Sequence, residues 1–306
     1  MNIAVVGAGG VGGYFGAKLA FAGNRVTFIA RGKTLDAISN NGVTILSDND
    51  QVNVAVSATD DPSKVDPVDL VIFAVKTYDT NSAINSLKSL VSDNTSVLTL
   101  QNGVESYIQL GEAVGTEVVL PGAAYIESSI QSPGVIRQSG DVVRIVFGEL
   151  GGSKSARATR IQDALKSAGV NCELSNDVVK TLWTKFLFIS SVAGLTSACR
   201  TRISDLLDNP GYLELLLDIM REVEDVGRAR GVNLDEDVIL ETQRYVEEAV
   251  KDITASLHID LENGRRMELD TFTGAVVRLG AQAKIATPIN DLLYKILKPH
   301  AEGRVS

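Results

Sequence analysis

The run VVGAGGVGG at 5–13 constrains this chain more than any other stretch. Its Gly7-x-Gly9-x-x-Gly12 spacing follows an apolar run at 2–6 and opens a stretch of helical spacing at 11–22. Glycine at the first position permits a tight turn. Gly9 lets the backbone approach a pyrophosphate, and Gly12 lets the helix pack closely on the strand. Ala8, Gly10 and Val11 complete the loop. The helix N-terminus then offers free N–H groups and the positive end of its dipole to an anion. A GxGxxG run alone is a weak signal, but at the head of a strand–turn–helix it specifies a dinucleotide-binding unit.

The surrounding pattern agrees. Apolar runs at 2–6, 25–30, 70–75 and 96–100 read as buried strands, and helical spacing at 11–22, 33–40 and 80–90 lies between them. That alternation predicts a parallel sheet with helices on both faces, an α/β doubly wound unit of the Rossmann type. Further strands are expected at 118–120, 134–138 and 142–148, the last two as a hairpin around Ser139-Gly140-Asp141. A loop at 151–155 precedes another helix running through Ala168. Past Asn176 the apolar residues keep helical spacing, at 178–199, 212–230, 235–250, 265–282 and 290–298. Asn209-Pro210-Gly211 and Asn263-Gly264 punctuate them. The chain therefore reads as a nucleotide-binding domain at 1–175 and an all-helical domain at 176–306.

Composition narrows the partners. A net charge of −9 argues against nucleic acid and anionic membranes, so an anionic ligand must be held by local cations or backbone amides. Two cysteines and two histidines, far apart, supply neither a disulfide framework nor a zinc site, and no metal is expected. The start of the chain lacks a secretory pattern, the apolar stretch 186–199 falls short of the ~20 residues of a membrane span, and the cytoplasm is the expected compartment. Cys172, Cys199 and Trp183 read as packing residues, the tryptophan across the domain junction. His258 is given no role.

Four positions stand out by placement. NAD-preferring sites put an acid after the second strand, about 20 residues past the glycine loop, to hold the ribose 2′-hydroxyl. Here Arg31 stands there, with Lys33 close by. A guanidinium suits a 2′-phosphate, so NADP(H) is the expected cofactor. Lys76 and Asn102 follow the strands at 70–75 and 96–100, where open α/β sheets hold their ligands, though a surface lysine and an Asn-Gly turn are equally consistent with those positions. Lys185 heads the apolar segment LWTKFLFISSVAGLTSACR at 182–200. It either snorkels to solvent or faces a reaction centre.

These features together resemble the ketopantoate reductase family. The likeness rests on GAGGVGG, Arg31, AVKTYD, QNGVE, LWTKF, GRRMELDTFTGAVVRLG and TPINDLLYKILK, and it covers essentially the whole chain. It implies a Rossmann domain followed by a helical domain, and NADPH-dependent reduction of a 2-oxo acid, 2-dehydropantoate to pantoate in the named reaction. By the same resemblance Lys185 is the catalytic lysine. Glu268, in the expected MELD helix, contacts the cofactor near that lysine. Arg31 binds the 2′-phosphate, Lys76 and Asn102 line the cleft, and Ser256 contacts the substrate carboxylate, with Asp260 one helical turn on. Ile189 and Ala193 occupy the substrate-gripping positions four and eight residues after the lysine, where the well-characterised branch carries asparagines. Gln101 stands where some relatives have histidine. The resemblance allows a homodimer and leaves three alternatives open: a family reductase acting on another 2-oxo acid, an imine or opine-type reductase, and a non-catalytic NADP(H) sensor.

Overall fold

In the computed structural model, residues 1–48, 50–249 and 254–304 are described. Contacts divide the chain into two units, Met1–Thr181 and Leu182–Ser306.

The first unit runs β1 (Asn2–Val6), α1 (Gly10–Phe21), β2 (Arg25–Ile29), α2 (Gly32–Asn41), β3 (Val43–Leu46), β4 (Gln51–Val54), β5 (Ser57–Thr59), β6 (Leu70–Phe73), α3 (Thr80–Leu90), β7 (Ser96–Thr99), α4 (Ser106–Val114), β8 (Val119–Ser132), β9 (Val135–Phe147), α5 (Ala156–Ser167) and β10 (Asn171–Leu174). The strands lie in the order β4-β3-β9-β8-β7-β6-β1-β2-β5, with β10 beside β9. The middle of the sheet, β7-β6-β1-β2, is parallel throughout. Its strands are apolar without alternation because both faces are covered. Ile3, Val5, Ile72 and Leu98 enter one core, and Ala4, Val6, Val71, Phe73 and Val97 enter the other. Successive side chains thus go to opposite faces, as the period-two pleat requires.

The expected hairpin around Ser139-Gly140-Asp141 is not there. Residues 135–147 form one strand, β9, antiparallel to a long β8, and the turn sits at Pro133-Gly134. A register shift beside Ile126 and Glu127 absorbs Gly140, whose φ is +69°, inside the ribbon.

The second unit is built from α6 (Val178–Cys199), whose first turn lies before the division, then α7 (Ile203–Leu207), α8 (Pro210–Ala229), α9 (Val238–Ala249), α10 (Ser256–Glu262), α11 (Thr273–Ala283) and α12 (Pro288–Leu297). Val250, expected to end the fourth-last of these, lies outside the described residues. The Asn209-Pro210 punctuation is a helix start: the Asn209 side chain accepts the Gly211 N–H at 3.0 Å, and Pro210 takes the first turn. Leu216, Ile219, Met220, Val223 and Val226 make the buried stripe of α8. Trp183 packs against Gly227 of α8 and edge-on to Phe186. Glu222, also buried, accepts the N–H groups of Ile289 and Asn290 at 2.8 and 2.9 Å and the Asn290 amide at 2.7 Å. It thereby caps α12 from a neighbouring helix, a carboxylate at a positive helix end.

Two expectations change here. Counted over its full length, α6 is long and apolar enough to cross a membrane, but 67% of that window is buried inside the protein, the setting of a core helix. The helix expected over 265–282 begins only at Thr273. Before it the chain is irregular. Met267 N–H donates to Ala301 O and Arg304 N–H to Gly264 O, which ties this stretch to the end of the chain instead of to a helical ladder.

Candidate active site

The first unit gathers one set of expected residues along a single edge. The strands β7, β6, β1 and β2 are adjacent and parallel, so the loops that follow them leave the sheet on the same side. Asn102, Lys76, the glycine loop and Arg31 are carried there in that spatial order. With ~4.8 Å between neighbouring strands, the row from Asn102 to Arg31 spans roughly 14 Å. Ligands in open α/β sheets bind at this carboxyl edge.

The glycine loop fits a pyrophosphate on steric grounds. Gly7 has φ +107°, and a Cβ there would lie 2.6 Å from the Ala74 backbone. A Cβ on Gly12 would lie 2.1 Å from Gly7 O. Gly9 differs: its Cβ would meet nothing within 4 Å, so the space over it is open to a ligand. α1 has no side-chain cap and no acid in its first turn, which leaves its N–H groups for an anion. Gly10 has a reason outside the motif, since a Cβ there would sit 2.5 Å from Ser128 O on β8.

Arg31 is exposed, directly after β2, in extended backbone at the start of α2, and Lys33 beside it is exposed too. Lys76 precedes a one-turn 3₁₀ helix, 77–79, and is half-buried, as is Asn102. Gln101 is buried and structural: its amide donates to Val75 O at 2.9 Å and to Thr80 Oγ1 at 2.8 Å. It ties the end of β7 to the loop after β6, and so fixes the two loops that carry Lys76 and Asn102.

The second unit holds the other set. Lys185 is part-buried on α6, one turn past the start of the apolar run. Burial pushes its ammonium down from the ordinary 10.5 to about 8, while the Glu268 carboxylate pulls it back up. Glu268 is 6% exposed and stands at the head of a single 3₁₀ turn, Leu269–Thr271, not in a helix. That turn is anchored by Asp270, whose carboxylate accepts from Tyr294 Oη at 2.6 Å and from Lys298 Nζ at 3.0 Å. Burial pushes the Asp270 carboxyl up, but the hydrogen bonds from Tyr294 and Lys298 outweigh it and leave the carboxyl below its usual range. Sequence reasoning missed this anchor; the only signal was an Asp two residues after the glutamate.

Ser256 is the exposed first residue of α10, and Asp260 lies one turn on along the same face, paired with Arg265 at 3.1 Å. On α6, Ile189 is half-exposed but Ala193 is 1% exposed, so the open part of the lysine's face ends at Ile189. His258 is buried, with Nε2 at 3.4 Å from Glu262 Oε1. Among the described residues no cluster has the makeup of a metal site.

A doubly wound sheet with a glycine cradle, followed by a helical unit with a part-buried lysine beside a buried glutamate, is the build of a nicotinamide-dependent oxidoreductase. The chain belongs to the ketopantoate reductase family. Residues 3–152 match the model for ketopantoate reductase PanE/ApbA, and 177–301 match its C-terminal companion. A PanE/ApbA family ketopantoate reductase from Ralstonia eutropha JMP134 is 32% identical, with TM-score 0.89 over 98% of each chain. The 2-dehydropantoate 2-reductase of Mesorhizobium japonicum is 27% identical over 99% of both chains, and an uncharacterized oxidoreductase of Bacillus subtilis, YkpB, is 29% identical over 97% of this chain and 98% of that one. A D-mandelate dehydrogenase solved with NADH and anilino(oxo)acetate shares the fold, with TM-score 0.90 at 24% identity. The protein is thus an oxidoreductase of the 2-dehydropantoate 2-reductase type.

Proposed function

We propose that this chain reduces a 2-oxo acid to the 2-hydroxy acid with NADPH, and that Lys185 is the proton donor. One observation carries the reading: a part-buried ammonium with pKa about 8 whose electrostatic partner is a buried carboxylate, Glu268. A general acid works best when its pKa lies near the working pH.

A reduced nicotinamide held by the glycine loop would supply the hydride to the carbonyl carbon. The C=O π pair moves to oxygen. Lys185 Nζ hydrogen-bonds that oxygen, stabilises the charge as it grows and gives it a proton, then recovers one from solvent. Glu268 keeps the lysine charged against the cost of its burial. Gly7, Gly9 and Gly12 shape the pyrophosphate cradle, with the backbone of Ala8, Gly10 and Val11 around it. Arg31 receives the 2′-phosphate, which supports NADPH over NADH, and Lys76 and Asn102 serve the nicotinamide end of the same edge. Ser256 takes the substrate carboxylate. Relatives named 2-dehydropantoate 2-reductase make that acid the first substrate to try.

The test is a panel of 2-oxo acids with NADPH and NADH side by side, using wild type and Lys185→Ala. Oxo-acid-dependent oxidation of NADPH, lost in the variant with dinucleotide binding kept, supports the reading. Equal turnover in the variant overturns it. Binding of NADPH with no turnover on any oxo acid would leave a cofactor sensor instead.

A further inference from the structure

The lysine's face of α6 is hydrocarbon, and it is open for one turn only. At helical spacing Phe188, Ile189 and Val192 lie on the side of Lys185, whereas Ser190 and Ser191 lie on the far side and are buried. The Ser190 hydroxyl is spent on Phe186 O at 2.7 Å, and that of Thr196, further along the lysine's side, on Val192 O at 2.7 Å. Val192 and Ala193 are closed off. Phe188 and Ile189 stay half-exposed, and Phe188 is held edge-on to Tyr245 of α9 at 5.2 Å. A ligand group lying past Lys185 along this helix therefore meets an aromatic ring and a branched alkyl chain. No hydroxyl or amide on that strip has a free hydrogen bond to give.

A ketone held at Lys185 Nζ carries two substituents, a carboxylate and a side chain. The carboxylate cannot lie on hydrocarbon without losing its hydration uncompensated. The side chain must take that strip. We infer that Phe188 and Ile189 select for 2-oxo acids whose side chain is a branched alkyl or aryl group without a hydroxyl. This rests on the reductase reading above and names the substrate class within it. A hydroxyl pressed on the strip gives up water and gains no partner, while a methyl there gains contact.

The test uses a matched pair. Trimethylpyruvate is 2-dehydropantoate with the terminal hydroxyl replaced by hydrogen, so the two acids differ at one atom on the side chain. With the full chain and NADPH, kcat/KM for trimethylpyruvate is expected to exceed that for 2-dehydropantoate by about tenfold or more, the range an apolar pocket achieves against an added hydroxyl. Ile189→Asn is expected to bring the ratio near one, and Ile189→Leu to preserve it. Equal or better use of 2-dehydropantoate by wild type overturns the inference while leaving the reductase intact. An unchanged ratio in Ile189→Asn overturns the role of that residue. Should Ile189→Asn fail to fold, the wild-type pair still decides. Turnover of neither acid, nor of any other in the panel, overturns the reductase reading itself, and this inference falls with it.

Discussion

The two units prepare chemistry in different ways. In the first, the loop after β1 works through absence: three glycines without side chains leave a turn, an open space and a close approach. In the second, the candidate site works through what is present, a part-buried cation and a buried carboxylate. Backbone geometry of the first kind is rigid and insensitive to pH. Electrostatics of the second kind respond to pH and to any change in the surrounding packing. On the reading proposed above, the molecule thus separates holding a cofactor from timing a proton.

That contrast can be broken at its strongest point first. Lys185→Ala is expected to lower kcat by about 10²-fold or more, the usual scale for a general acid, with NADPH affinity measured by fluorescence titration nearly unchanged. Loss of affinity alongside rate would show that the lysine also holds cofactor. Next comes the pH profile. Reduction needs the protonated amine, so kcat should be flat below pH 8 and fall about tenfold per unit well above it. Glu268 raises the lysine's pKa, so Glu268→Gln should move that limb to lower pH, and a limb that stays put would sever the pair. Gly9→Val, filling the open space in the cradle, should weaken dinucleotide binding about tenfold with little change in thermal stability, because no neighbour is struck. Arg31→Ala should shrink the ratio of NADPH to NADH use by roughly tenfold through the 2′-phosphate alone, as the guanidinium is exposed. The smallest effect on chemistry is expected from Glu222→Gln. It should cost about 2 kcal/mol in urea unfolding by weakening the charged cap on α12, and leave NADPH affinity where it was.

How much of this was legible depended on whether the cause was local. β1, α3 and α6 stand where apolar spacing places them, because buried parallel strands and a long core helix write their own pattern. The short strands β3, β4, β5 and β10 went unread, being only three or four residues each, and β4, β5 and β10 have exposed positions. The far half of β8, IESSIQS, looks like a loop because most of its polar residues are exposed in a ribbon that only β9 completes. The cradle could be read, since glycine's reasons are steric and near in sequence. Lys185 could not be told from a snorkelling lysine by its own neighbours, because Glu268 reaches it from far along the chain. The turn that carries Glu268 looked like helix because Asp270, Tyr294 and Lys298 fix it by contacts that leave no periodicity.

Cys172 on β10 carries a consequence of its own. Burial pushes this thiol up to about 12, so at neutral pH almost none is thiolate, and the side chain is 1% exposed. In a chain whose half-buried Cys199 has been replaced by serine, an alkylating dye could react only when the edge of the sheet comes apart. The rate of labelling would then be a clock for that opening.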